Sequence, residues 1–153
     1  VLELRPDARL ILVGSDPPPR HSISPEWKNV ELIGFVDDVR DPLARYQVLI
    51  SPILSGSGVR VKLLEAFAAG IPVVSTVLGA EGLTAKDGEL CGLADSPDEF
   101  ARWVARILDE PATAVNLSNA ARRYVEEHRD IRRMTNAMTE SYRNSLRQRR
   151  TAG

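Results

Sequence analysis

The chain holds one cysteine, Cys91, and two histidines, His21 and His128. A single thiol excludes an intrachain disulfide and any cysteine cluster around a metal. The histidines stand far apart in sequence and lack the spacing of a metal-ligand pair. No metal site built on thiols or imidazoles is therefore expected, no other cofactor is expected either, and so low a thiol content suits a reducing, cytoplasmic setting. No run approaches the roughly 18 consecutive apolar residues that a membrane-spanning helix needs. Val-Leu-Glu-Leu-Arg-Pro at 1–6 carries early charge and no apolar centre, so it does not read as a signal peptide. It reads as the last turn of a helix, and the chain is expected to be a piece of a larger protein. At 153 residues, 43% hydrophobic and 27% charged, the composition is that of one ordinary globular domain.

Charge is unevenly spread. Residues 121–150 carry nine arginines (122, 123, 129, 132, 133, 143, 147, 149, 150) against four acids (126, 127, 130, 140). That segment is +5, so the chain's net −1 leaves −6 for the rest. A basic C-terminal helix can attract an anionic surface, which makes peripheral association with the inner face of a membrane one expectation. A solvated helix face is the other. Nucleic acid is not expected as a partner.

Short apolar runs bounded by glycine and proline predict strands over 7–14, 30–35, 48–51 and 71–76, with a shorter fifth over 90–94. Pro17, Pro18 and Pro19 place a surface loop over 15–24, and Asp37 or Asp38 could cap a short helix over 39–46. A helix over 61–69 stops at Gly70. From Pro97 the pattern is helical: Ser96 and Glu99 form a capping box, and Phe100, Trp103, Val104, Ile107 and Leu108 recur at helical spacing. Two further helices follow over 111–127 and 130–147, with fraying over 148–153. Trp103, Met134 and Met138 read as helix-packing residues, and Cys91 as a small buried one.

Strands alternating with helices imply an α/β fold with a parallel sheet, a Rossmann-like three-layer arrangement with added C-terminal helices. The strand runs are continuously apolar, which predicts helices on both faces. One domain is expected over 1–153, its α/β core over about 1–110 and its C-terminal helices over about 111–147. Ligands of such folds bind beyond the carboxyl ends of the strands, where Gly14, Phe35, the segment 51–58 and the segment 75–82 all fall.

The segment 51–76 is the most informative. It reads as strand end, glycine-rich loop, amphipathic helix, glycine stop and buried strand. A loop that runs into a helix N-terminus aims unpaired N–H groups and the positive end of the helix dipole at one spot, where phosphate can sit. Arg60 and Lys62 add positive charge, pointing to different sides, and Glu65 follows about one turn in. Diphosphate at the glycines and hydroxyls at the carboxylate would suit a nucleotide-sugar.

The motifs Leu-Ile-Leu-Val-Gly at 10–14, Val-Glu-Leu-Ile-Gly-Phe-Val at 30–36, Ile-Ser-Pro at 50–52, Gly-Ser-Gly-Val-Arg-Val-Lys-Leu-Leu-Glu-Ala at 56–66, Gly-Ile-Pro-Val-Val-Ser-Thr at 70–76 and Leu-Gly-Ala-Glu-Gly at 78–82 stand in one order. That order closely resembles the C-terminal, donor-binding half of a GT-B glycosyltransferase of the retaining GT4 (group 1) family. The resemblance implies a donor site at Gly14, Phe35, Gly56, Ser57, Gly58, Arg60, Lys62 and Glu65, with no certain catalytic residue and no metal. It implies that Glu65 hydrogen-bonds the nucleotide ribose and that Phe35 lies by the base. The family's first glutamate, with seven residues between it and the second, falls on Ser57, a departure that removes a charge from the sugar contact. The resemblance further implies a missing N-terminal, acceptor-binding domain and a missing first strand, so this piece alone would not transfer sugar. Ser57 leaves open a non-catalytic nucleotide-sugar-binding module, and the architecture also admits a sugar-nucleotide epimerase.

Overall fold

Each strand is a short apolar run, and no two are separated by a tight hairpin turn, so the pairs form in parallel. A computed structural model describes residues 1–15, 28–38, 45–56, 58, 60–83 and 86–151. Strand β1 (Leu10–Val13) pairs with β2 (Val30–Ile33), Leu10 opposite Val30 and Val13 opposite Ile33. Strands β3 (Leu49–Ser51), β4 (Val73–Ser75) and β5 (Gly92–Leu93) make a second parallel sheet in that order. Its register sets Leu49 opposite Val73 and Val74 opposite Gly92. Among the described residues no strand ladder joins the two sheets.

Helix α1 (Val61–Ala69) links β3 to β4. It closes in a Schellman motif: Gly70 is left-handed at φ 73°, its N–H meets Phe67 O at 3.1 Å, and the N–H of Ile71 meets Ala66 O at 2.9 Å. Helix α2 (Pro97–Asp109) starts at Ser96, whose Oγ accepts from Glu99 N at 3.3 Å and donates to Glu99 Oε2 at 2.8 Å. The expected serine–glutamate cap is thus present, with the carboxylate returning to the serine hydroxyl. Helix α3 (Pro111–His128) and helix α4 (Ile131–Thr151) complete the chain.

The period-two alternation of strands divides the core. Leu49 and Val73 face one way and pack with Leu63, Ala66 and Phe67 of α1. Ile50 and Val74 face the other way and pack with Trp103, Val104 and Ile107 of α2. Helix α3 serves both sides: Ala114 and Leu117 join the α2 cluster, whereas Ala120, Ala121, Tyr124 and Val125 join the α1 cluster. The β3–β5 sheet is therefore covered on both faces, as its apolar runs predict.

The β1–β2 pair is not covered in that way. Its strands are half-buried and Glu31 is exposed, because no described helix packs extensively against them. The loop expected over 15–24 and the helix expected over 39–46 fall largely outside the described residues; Arg45 and Tyr46 are not helical. Two other expectations are corrected. Met138 is exposed rather than packed, since the described side chains of α4 all face solvent. The side chain of Met134 lies outside the description. Helix α4 persists to Thr151 instead of fraying from 148, for no glycine or proline interrupts 131–151 and glutamine and arginine sustain a helix.

Candidate functional site

Two loops leave the carboxyl ends of neighbouring strands β3 and β4, and each is fastened by its own polar groups. After β3, the N–H of Ile53 turns back to Ser51 O at 2.9 Å. Gly56 and Gly58 then take φ of 122° and 119°, a region that residues with a Cβ rarely enter. Nothing stands within 4 Å of where a Cβ would lie on either, so the demand for glycine is conformational rather than steric. Both are exposed. The chain then enters α1 with Arg60 at the cap position, no side-chain cap and no acid in the first turn. Contrast Ser96 ahead of α2. In the first turn of α1 the N–H of Leu63 meets Arg60 O at 3.1 Å, whereas among the described residues those of Val61 and Lys62 have no backbone partner and are left to whatever approaches them.

After β4, Thr76 Oγ1 donates to Ile53 O at 2.6 Å and accepts from Gly79 N at 3.0 Å, joining the two loops. Ser75 Oγ donates to Ser51 O at 3.3 Å. The 3-10 turn Leu78–Ala80 lies so close to β3 that a Cβ on Gly79 would stand 2.4 Å from Ser75 Oγ and 3.0 Å from Ser51 O.

Arg60 is the hinge pin between the loops. Only 9% of its side chain is exposed; Nη2 donates to Leu78 O at 2.7 Å and stands 3.7 Å from Glu81 Oε2. Its Nε is buried and has no hydrogen-bond partner. Lys62 and Glu65 are exposed on the same helix, so Arg60 and Lys62 do take different sides.

Gly56, Gly58, Arg60, Lys62 and Glu65 thus form one loop–helix unit. Ser57 lies outside the described residues. Gly14 and Phe35 sit at the carboxyl ends of β1 and β2, where Gly14 N meets Ile33 O at 3.4 Å. No described hydrogen bond or ion pair ties either residue to the loop–helix unit. Phe35 is 72% exposed, so it is not a core residue. Sequence reasoning placed the segment 75–82 at the strand ends but named none of Ser75, Thr76 and Gly79 as a site residue. The available signal was polar Ser-Thr at a strand end, followed three residues later by glycine.

Other reactive groups are disarmed. Cys91 is fully buried, and burial, with a smaller contribution from Asp87, pushes its thiol up to about 12, so it stays protonated at neutral pH. A hollow of about 520 Å³ beside Val77, Asp95 and Arg102 touches the segment 75–82 at Val77 alone and is lined by neither the glycine loop nor Arg60, Lys62 and Glu65. Its carboxylates are already engaged: Asp95 accepts from Val77 N at 3.0 Å, Asp87 from Leu93 N at 2.7 Å and Glu99 from Ser96 Oγ at 2.8 Å. Among the described residues no cluster of three or more His, Cys, Asp or Glu could hold a metal, and no helix is long and apolar enough to cross a membrane.

Residues 1–110 match the profile of the family described as glycosyl transferases group 1. A curated relative is the GDP-mannose-dependent monoacylated alpha-(1-6)-phosphatidylinositol monomannoside mannosyltransferase of Corynebacterium glutamicum. It is 28% identical over 139 residues, which are 82% of this chain and 36% of that protein. Among solved structures, sucrose-phosphate synthase from Thermosynechococcus elongatus superposes with a TM-score of 0.75 at 23% identity, covering 92% of this chain and 39% of that one. HepE of Anabaena, in complex with UDP and glucose, superposes with a TM-score of 0.73 at 17% identity, covering 89% of this chain and 40% of that one. At these identities the superpositions speak for the fold. The chain spans a little over a third of the length of the curated relatives it matches.

Proposed function

Because the chain belongs to the group 1 glycosyl transferases, we propose that it is the donor-binding part of a longer transferase. In this reading it holds a nucleotide-diphosphate sugar whose sugar passes to an acceptor with retention of anomeric configuration, as the GT4 resemblance implies. The observation that carries the reading is the uncapped start of α1 after a loop whose two glycines take positive φ, with Glu65 exposed one turn further in. Backbone N–H groups and the helix dipole there suit a diphosphate, and an exposed carboxylate suits a ribose diol. The names of two similar proteins support the same class of donor: one is GDP-mannose-dependent and one was solved with UDP and glucose.

In that role the chain acts by placement. It would hold the diphosphate leaving group against fixed dipoles, so that charge building on the departing phosphate meets donors already in position. Gly14, Phe35, Ser57 and Lys62 are assigned to the donor on the same reading, Phe35 beside the base and Ser57 near the sugar. The acceptor would be bound by the part of the longer protein that its relatives possess.

Calorimetric titration with UDP, GDP, ADP and their sugar conjugates tests this. One nucleotide should bind saturably, and Glu65→Ala should weaken it about 10- to 100-fold, the worth of a hydrogen bond to a charged group. Unchanged affinity in Glu65→Ala, or no nucleotide bound by the longer protein, would sink the reading.

A second reading concerns the acceptor side. Helix α4 presents Ile131, Met138 and Tyr142 to solvent, with Arg132 and Arg143 also exposed. Spacings of seven and four residues keep those apolar side chains on one stripe. We infer that this helix rests on an anionic bilayer, where a lipid-linked acceptor would be found. Sedimentation with phosphatidylserine-containing vesicles should show binding that fades as salt rises. Binding that is absent or insensitive to salt would end this second reading.

A further inference from the structure

Arg60 is a cation taken almost wholly out of water, with 9% of its side chain exposed. Buried charges are normally paired and their donors satisfied. Among the described residues Arg60 has one neutral acceptor, Leu78 O at 2.7 Å, and one long ion pair, Glu81 at 3.7 Å. Its Nε is buried without a partner. The positive charge is therefore only partly compensated, and at least one directed donor is unused. Glu81 is 72% exposed on its side chain. An exposed carboxylate at that distance is held loosely and can leave for water with little loss.

The placement of the two residues gives the mismatch a purpose. Arg60 caps α1, whose first turn has no acid and no side-chain cap; Glu81 ends the 3-10 turn on the neighbouring loop. Hence a helix start without a side-chain cap and a buried cation with an unpartnered Nε meet at Arg60, and among the described residues one exposed carboxylate stands at the cation. Resting on the donor-site reading above, we propose that Glu81 is an internal stand-in for the donor's diphosphate. Glu81 neutralises Arg60 while the site is empty. An arriving diphosphate displaces it and takes both its place and the unused Nε donor, while Leu78 O keeps Nη2 and holds the loops in register. Glu81 thereby sets a charge threshold: a ligand must be more anionic than one carboxylate to win the guanidinium.

The test is calorimetric titration with inorganic pyrophosphate at low ionic strength, on the wild-type chain, Glu81→Gln, Arg60→Gln and the double variant. Glu81→Gln removes the competitor without removing bulk, and it should bind pyrophosphate roughly three- to tenfold more tightly than wild type, the range that a weak ion pair allows. Raising the salt should shrink the gain. Arg60→Gln should bind at least about tenfold more weakly, and Glu81→Gln should give no gain in that background. Thermal melts verify that each variant is folded; Glu81→Gln alters an exposed side chain, so its comparison with wild type stands even if Arg60→Gln fails to fold. Equal or weaker binding by Glu81→Gln overturns the proposal, as does the same gain with or without Arg60. Absence of pyrophosphate binding in every protein also overturns it. The nucleotide titration then decides separately whether the donor-site reading survives.

Discussion

Phe67→Ala is expected to lower folding stability by about 3–5 kcal/mol. Phe67 is fully buried and belongs to the cluster in which α1, β4 and α3 meet. Its neighbours Leu63, Ala66, Val73 and Ala121 are themselves almost or wholly inaccessible, so they have little freedom to fill the void. The ring's lost transfer energy and the unfilled cavity both count. Small domains hold only about 5–15 kcal/mol in total, so the loss is a large share of it. Urea denaturation should show the midpoint falling with the slope unchanged. A loss below about 1 kcal/mol would mean that α1 is not anchored by this residue.

Gly79→Ala ranks second, at about 2–3 kcal/mol, the range for overpacking a tight contact and breaking the bonds around it. The backbone at Gly79 is not in the left-handed region, so strain is not the reason; space is. An added Cβ would meet Ser75 Oγ at 2.4 Å, Thr76 Oγ1 at 2.9 Å and Ser51 O at 3.0 Å. Moving the two hydroxyls breaks their bonds to Ser51 O and Ile53 O and the bond from Gly79 N. The nearest of these atoms is a hydroxyl that Ser75→Ala would remove. The double variant should therefore recover part of the loss, a coupling that thermal melts of the four proteins can read. If Gly79→Ala melts with wild type, the turn has room that the geometry denies.

Both positions show what can be read from residues alone. Helix α1 was legible to the residue, because Gly70 is a stop and the glycine loop a start. The α/β class was legible too, since alternation of short apolar runs with helical periods leaves little choice. Cover over β1 and β2 was not: Leu-Ile-Leu-Val reads the same whether both faces or one is packed. Nor was the environment of Arg60. Its principal partner is a backbone carbonyl 18 residues later, and carbonyls carry no sequence signature. Gly79 could be read as a turn, yet its constraint is a distance across two strands. Glu65 is an exposed helical glutamate, which in sequence looks like any solvated one; only the loop before it singles it out.

Helix α3 has a consequence for how the domain comes apart. One half of it seals the sheet face under α1, and the other half seals the face under α2. Neither layer can peel away while α3 stays docked, and releasing α3 exposes both at once. Melting of the β3–β5 region should thus be all-or-none, with the amides of β4 exchanging together through a single global opening. The loops beyond the strand ends lie outside that lock, and the rim can rearrange around a ligand while the layers beneath it stay closed.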